Sequence, residues 1–505
     1  MSSTATTFEQ LVAHVRETAL WSSIQGLLEW DERTLMPVQA GPYRVEQVTV
    51  LAGAIHQRNT DPRLGQWLGE LSASPLAADP HRDQGATIRQ LKRDYDKRVK
   101  LPLALVEALT RATMQGQQAW VSARQANNFA AFEPFLAEIV RLRREQAQAL
   151  GYQQHPYDAL LDDYEPGATT AEMSRVLGGL CQELAPLVRQ LTASSHQPSA
   201  QLLARHFPQA AQEAFGRLAA ERIGFDFERG RLDVTHHPFC AGMGPHDCRI
   251  TTRYDEQFFP QAFFGILHEA GHGIYEQGLR PDWFGLPPGT AVSLGIHESQ
   301  SRLWENLVGR SRPFWRYFFG EFQRAFPGST QDLHEEQLFA AINVVQPSLI
   351  RVEADEATYN LHIMVRFELE QALIADQLAI GDLPGAWKEK YQQYLGITPP
   401  TDAQGVLQDI HWSAGLIGYF PTYSLGNLYA SQLFEAADRE LGGLAEQFQR
   451  GEFTPLRDWL QTRVHTAGQC YDAGALVQRI TGEPLSHEPL MRHLCSKFLS
   501  VYGPA

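Results

Sequence analysis

At 505 residues, 43% hydrophobic and 20% charged, the chain has the composition of a folded globular protein, long enough for one large domain or two or three smaller ones. A formal net charge of −15 argues against non-specific binding to nucleic acid, and no apolar run approaches the roughly 18 residues of a membrane span. The five cysteines (Cys181, Cys240, Cys248, Cys470, Cys495) are scattered without a CxxC, and MSSTATTFEQLVAHV lacks the basic and apolar regions of a secretory signal, so a reducing, cytoplasmic address is expected.

Leu11, Val15, Leu20, Ile24, Leu27 and Leu28 recur at helical spacing, which predicts a helix ending ahead of Pro37 and a second one resuming near Tyr43. Trp30 and Asp31 in LEWDERTLMP are read as a buried aromatic and a helix-terminal carboxylate. Residues 61–98 are helical but polar, with a loop at SASPLAADPH. Residues 100–150 read as two amphipathic helices broken around Phe132-Glu133-Pro134. TASSHQPSA (192–200) is the most linker-like stretch, expected to join two helices rather than two domains.

Between about Phe225 and Tyr254 the texture changes. Leu232 and Val234, then Cys248 and Ile250, alternate around a Gly/Pro turn, which suggests a β-hairpin or small sheet. An edge strand there could hold an extended peptide by main-chain hydrogen bonds. FFGILHEAGHGIYEQG follows, a helix predicted from about Phe258 to Gln277 and stopped at Gly278.

Within it, His268-Glu269-Ala270-Gly271-His272 reads H-E-x-x-H. Residues four apart lie on one helix face, so His268 and His272 can bind one metal ion with Glu269 beside them as base for a water. A third ligand is required, and a carboxylate on the next helix suits a His₂Glu site. Glu298 in LGIHESQSRLWENLVGRS is the choice, over Glu305 two turns further and Glu276 one turn past His272. Zn²⁺ suits such a set, with Co²⁺ an allowed substitute.

The stretch 331–380 reads as long and helical, kinked or divided at Pro347, with Arg351, Asp355 and His362 near one side at spacings of four and seven. GVLQDIHWSAGLIGYFPTYSLGNLYA is crowded with His411, Trp412, Tyr419 and Tyr423. The residues alone therefore predict a mainly α protein with one β element beside a metal-binding helix.

Taken in order, the chain carries HPF (His237-Pro238-Phe239), D-x-R-x-T (Asp247, Arg249, Thr251), H-E-x-x-H, HESQ (His297 to Gln300), I-R-x-x-A-D (Ile350, Arg351, Ala354, Asp355) and G-x-x-Q-D-x-H-W (Gly405, Gln408, Asp409, His411, Trp412). This ordered set closely resembles the thermostable carboxypeptidase Taq family of zinc metallocarboxypeptidases, over nearly the whole chain. The resemblance implies one catalytic domain over 1–505, with two helical lobes flanking a deep groove and a small β-sheet by the zinc helix. It further implies a homodimer that removes single residues from peptides with a free C-terminal carboxylate, with broad specificity.

On that resemblance, Zn²⁺ is held by His268, His272 and Glu298, and Glu269 takes a proton from water and passes it to the departing amine. Tyr423, then Tyr419, is the expected hydroxyl donor to the developing oxyanion, with His411 a further donor. Arg351 and Arg249 are candidates for the terminal carboxylate, against salt bridges to Asp355 and Asp247 respectively. His237 is expected to touch substrate or order the edge strand, and Asp355 and Asp409 to orient ligands or histidines. The competing readings are an endo- or dipeptidyl-acting zinc oligopeptidase and an inactive peptide-binding relative, which the intact Glu269 opposes.

Overall fold

The computed structural model describes residues 3–503, and helices dominate them. The long predicted helices form: Ser3–Thr34 ends ahead of Pro37, Gly41–Asn59 follows, and the motif helix spans Phe259–Gly278. None of the described helices is long and apolar enough to cross a membrane.

By its internal contacts the chain divides into two compact units. One comprises residues up to Val99, Ser199–Ile342 and Ala430–Gly482; the other comprises Lys100–Pro198, Asn343–Tyr429 and the chain from Glu483 onward. TASSHQPSA therefore does more than join two helices, since the chain passes from one unit to the other inside it. Two further expectations shift. The break in 100–150 falls at residues 126–128, between helices Leu103–Gln125 and Phe129–Leu150, with Pro134 inside the second. There, in the second turn, it removes one intrahelical hydrogen bond without ending the helix. The 331–380 stretch is not one helix: Glu335–Ile342 and Tyr359–Ile374 are separated by extended chain around Pro347 and a short 3₁₀ turn, Arg351–Glu353.

The first unit holds the predicted β element as three strands, β1 (Gly230–Val234), β2 (Cys240–Gly244) and β3 (Asp247–Thr252), in the order β1-β3-β2. β3 pairs parallel with β1 and antiparallel with β2, and a bulge between Gly242 and Gly244 adds local twist. Two sequence motifs turn out to hold this sheet together. The Thr251 hydroxyl accepts from the Phe239 N–H at 2.8 Å and donates to the Phe239 carbonyl at 2.9 Å, joining HPF to D-x-R-x-T. Arg249 pairs with Asp247 at 2.8 Å and lies over the buried Trp30 ring at 4.4 Å, joining the N-terminal helix to β3.

Behind the motif helix, Phe259 and Phe263 enter an aromatic cluster: Phe263 stacks on Phe215 at 5.2 Å, and Phe259 meets Phe322 at 4.9 Å. Such pairs add about 0.5–1.5 kcal/mol each beyond their burial, enough to fix the helix's rotation. On its other side the helix approaches Leu294–Arg302, which Ser293 caps through the Ile296 N–H. Gly271 makes that approach feasible, since a Cβ there would stand 2.6 Å from the Gln300 carbonyl oxygen and 2.7 Å from Ser301 Cα. Gly271→Ala is therefore expected to cost about 1–3 kcal/mol through overpacking. Gly265→Ala on the same helix, whose Cβ would meet only the Thr252 hydroxyl at 3.7 Å, is expected to be neutral or stabilising. Calorimetric unfolding of the two variants checks this, and equal effects would refute it.

Candidate metal centre and active site

The close helix contact delivers Glu298 to the two histidines. Its Oε2 lies 3.5 Å from His272 Nε2 and 3.9 Å from His268 Nε2, and the ligand atoms of all three residues lie within 4.8 Å of one another. The imidazole rings stand nearly perpendicular, at 85°. On the far side of His268, Nδ1 lies 2.9 Å from Glu305 Oε2. A carboxylate there can only accept, so the His268 proton sits on Nδ1 and the Nε2 lone pair faces Glu298. The Nε2 atoms of two imidazoles and a carboxylate oxygen thus converge on one point, and His272 Nδ1 is buried without a partner, which leaves its Nε2 free to ligate once the proton sits on Nδ1. The donor set therefore fits a divalent metal ion.

Arg302 governs the acid side. It donates from Nε to Glu298 Oε1 at 2.7 Å and from Nη1 to Glu305 Oε2 at 3.2 Å. Burial raises the Glu298 carboxyl, yet Arg302, joined by His268 whenever that imidazole is protonated, outweighs it and holds the group far below the usual carboxylate range. Glu305 behaves likewise and is brought down to about 2, again against burial and chiefly by Arg302. Glu305 sits in a single π-helical stretch, Leu303–Val308, directly after the HESQ helix. Such turns are rare and occur often at functional sites.

The two remaining groups differ. Glu269 is only 7% exposed, and burial pushes its carboxyl up to about 7. Burial, helped by His297, lowers His272 to about 4, so this imidazole is neutral near pH 7. His297 stacks on His272 at 4.5 Å and bonds Glu276 Oε1 at 2.9 Å. Glu276 and Glu305, both weighed as third ligands, thus face histidines instead. Arg302 went unremarked in the sequence, although Glu298, Arg302 and Glu305 share one helix face at spacings of four and three, and His297 was noted there only as part of HESQ.

Arg351, Asp355, Asp409, His411, Tyr419 and Tyr423 lie in the second unit, where the last two motifs interlock, whereas His237 and Arg249 lie in the first. Arg351 is 5% exposed; its N–H bonds Gln408 Oε1 at 2.9 Å and its Nη2 bonds Asp409 Oδ1 at 2.8 Å. The fully buried Arg366 takes Asp409 Oδ2 at 2.7 Å from Nε and Gln408 Oε1 at 2.8 Å from Nη2. Arg351 therefore pairs with Asp409 and not with Asp355. Nor do Arg351, Asp355 and His362 share a helix face. Asp355 accepts the N–H groups of Gln346, Ala357 and Thr358 and shapes the turn between elements, while His362 Nδ1 meets the Tyr391 hydroxyl at 3.0 Å.

His411 lies at this cluster's edge, with Nε2 3.3 Å from the Tyr423 hydroxyl and Nδ1 4.0 Å from Asp409 Oδ1. Burial and then Arg351 lower it to about 4. Arg351 lies 5.0 Å over the Tyr423 ring, and Tyr419 packs edge-on against Tyr423 at 5.3 Å. The loop bearing His411 is pinned by Glu370, which accepts from Trp412 Nε1 at 2.8 Å and the Gly418 N–H at 3.0 Å. His237 is exposed in the chain leading to β2, and Arg249 is engaged by Asp247 and Trp30.

A family profile described as Carboxypeptidase Taq (M32) metallopeptidase matches residues 10–498. The chain belongs to the carboxypeptidase Taq family. It is 44% identical to thermostable carboxypeptidase 1 of Thermus thermophilus over 506 residues, covering 98% of this chain and 99% of that one. Against carboxypeptidase 1 of Bacillus subtilis the identity is 37%, covering 95% and 96%. Among solved structures, the M32 carboxypeptidase of Deinococcus radiodurans aligns with a TM-score of 0.95 at 39% identity, covering 99% and 100%. Metallocarboxypeptidase 1 of Trypanosoma cruzi aligns at 0.90 and 32%, covering 98% and 99%. The protein is thus a mainly α-helical metallocarboxypeptidase, and its family implies a divalent metal.

As a Taq-family enzyme, it should depend on Glu305 to hold His268 in its ligating tautomer. Glu305→Gln is expected to weaken divalent-metal affinity about 10–100-fold, measured by competition with a chromophoric chelator. Unchanged affinity would mean that Glu305 does not orient His268.

Proposed function

We propose that the enzyme is a zinc carboxypeptidase that removes single amino acids of varied type from the free C-termini of peptides. The observation that carries this reading is the convergence of His268, His272 and Glu298 within 4.8 Å, beside a buried Glu269 with its carboxyl near 7, in a chain of this family. His268, His272 and Glu298 would hold Zn²⁺, or Co²⁺ in its place; the bound ion supplies Lewis acidity, which acidifies water and polarises a carbonyl.

The chain's own residues do the rest. Glu269 accepts a proton from the attacking water, and a carboxyl near 7 can return it to the departing amine at neutral pH. The Tyr423 hydroxyl, positioned by His411 Nε2, donates to the developing oxyanion, with Tyr419 the alternative donor. Arg351 is favoured over Arg249 for the terminal carboxylate. Arg351 and Arg366 set two guanidinium groups against Asp409, whereas Arg249 is already matched by Asp247 and Trp30. β2 lies at the sheet's edge, and a cavity of about 740 Å³ lined in part by Gly242, Met243, Gly244 and Glu276 adjoins it. Extended peptide along this strand, near His237, fits both features.

Both units are read as one catalytic domain, because the family match runs through them from 10 to 498. The enzyme is read as a cytoplasmic homodimer. Leu20, Ile24 and Leu27 on one face of the N-terminal helix are 56%, 53% and 40% exposed, an apolar stripe suited to a second copy.

Two experiments test the reading. Matched peptides with free and amidated C-termini, followed by mass spectrometry with and without a chelator, should give a C-terminal ladder from the free peptide alone, abolished by the chelator. Internal cleavage of the amidated peptide would instead favour the endopeptidase reading. Glu269→Gln should keep its metal and lose about 10²–10⁴-fold in turnover. In the parent enzyme the deprotonated Glu269 is the active form, so kcat/KM should fall as pH drops below about 7. A bound cation beside Glu269 moves that limb to lower pH. Metal retained with full turnover in Glu269→Gln would sink the mechanism.

A further inference from the structure

Cys240 and Cys248 stand apart from the other thiols. Cys240 is on β2 opposite Ile250, and Cys248 is on β3 opposite Gly242, so the two are diagonal neighbours on the same face of the hairpin. Their sulfurs lie 3.6 Å apart. A disulfide needs about 2.05 Å between sulfurs and Cα atoms within about 6.8 Å, whereas diagonal neighbours stand about 7–8 Å apart, so closing the bond draws β2 toward β3 by about 1–2 Å. The adjacent bulge and the edge position of β2 leave that strand the freedom to make the shift. Cys248 is buried and Cys240 is the more exposed residue of the two, which makes it the first to meet a reagent as small as hydrogen peroxide.

We propose that Cys240 and Cys248 form a vicinal dithiol modification site, closed to a disulfide by a two-electron oxidant of the peroxide class, which staples the edge strand β2 to β3. The chemistry is balanced. One thiol loses its proton and its sulfur attacks a peroxide oxygen, breaking the O–O bond to give a sulfenic acid and water. The second thiol's sulfur then displaces the hydroxyl as a second water, so two thiols and one hydrogen peroxide give one S–S bond and two waters.

The surroundings set when this happens. The contact with Cys248 and burial push the Cys240 thiol well up, and Glu276 and Glu269 push the same way. The thiolate is the nucleophile, so the pair resists oxidation near neutrality and reacts faster as pH rises. A Cβ on Gly242, two positions along β2 from Cys240, would stand 2.5 Å from Glu276 Oε2, which puts this strand, read above as the peptide's edge, beside a carboxylate of the motif helix. The kinetic consequence rests on that reading: a stapled β2 can no longer adjust to peptide, which raises KM and leaves kcat nearly unchanged.

The metal-loaded enzyme is treated with hydrogen peroxide at neutral and alkaline pH, digested without reductant, and analysed by peptide mass spectrometry alongside steady-state kinetics. The expected product is one cross-linked peptide pair, two hydrogen atoms lighter, joining Cys240 to Cys248. It forms faster at alkaline pH, is reversed by dithiothreitol and is absent in Cys248→Ser. The oxidised enzyme should show a severalfold rise in KM that dithiothreitol removes. Addition of two or three oxygens to Cys240 without a cross-link, or no cross-link even at alkaline pH, would overturn the proposal. A reversible cross-link with unchanged KM would uphold the modification site and overturn the assignment of β2 as the peptide's edge.

Discussion

The proposed metal centre depends on how closely two helices can approach. His268 and His272 are set by helical periodicity, but their carboxylate partner comes from a separate helix, and its reach is short. Any side chain at position 271 would collide with the backbone at Gln300 and Ser301 and drive that helix outward. Coordination lengths leave little room for such movement. The small residue inside H-E-x-x-H is therefore as much a determinant of the site as the histidines. The aromatic cluster around Phe259 and Phe263 does the complementary work, pressing the helix from behind and fixing which face it turns toward Glu298.

Charge is arranged as deliberately as shape. Around the histidines, three largely buried glutamates would repel one another without Arg302, which touches two of them. Glu269 alone is left with burial dominating its environment, so it alone titrates near neutrality while Glu298 and Glu305 stay ionised. The division of labour among three chemically identical groups is thus set by where one guanidinium reaches. In the second unit the pattern inverts: one carboxylate, Asp409, ties two buried arginines and sets the polarity around His411 and Tyr423.

Much of this was legible in the chain, for physical reasons. The H-E-x-x-H spacing, the helix stop at Gly278 and the alternation before it are local periodicities, and they appear in the structure within a residue or two. Glu298 could be preferred as the nearer carboxylate on the next helix, and the structure brings its Oε2 to 3.5 Å from His272 Nε2. The pairing of Glu305 with His268 and of Glu276 with His297 could not be read, because each depends on side-chain direction across two helices. The stretch containing Arg351 misled for a related reason. Its spacing mimics a helix, but Pro347 and the Asp355 turn break the backbone, and the true partners, Gln408, Asp409 and Arg366, are distant in sequence. The parallel pairing of β1 with β3 was likewise hidden behind what looked like a simple hairpin.

Arg302 has one more effect, on the choice of ion. By occupying Glu298 Oε1 it leaves only Oε2 directed at the histidines, so the carboxylate can serve through one oxygen and not two. The chain then presents two nitrogens and one oxygen, a denticity of three. An ion such as Ca²⁺, which seeks about six to eight oxygen donors, finds too few partners here and loses too much hydration to gain them. Small borderline ions content with four ligands keep a coordination position open for a reactant. On the proposed ligand set, a single salt bridge at the edge of the site would thus filter the metal by coordination number, before affinity for nitrogen or oxygen is even in play.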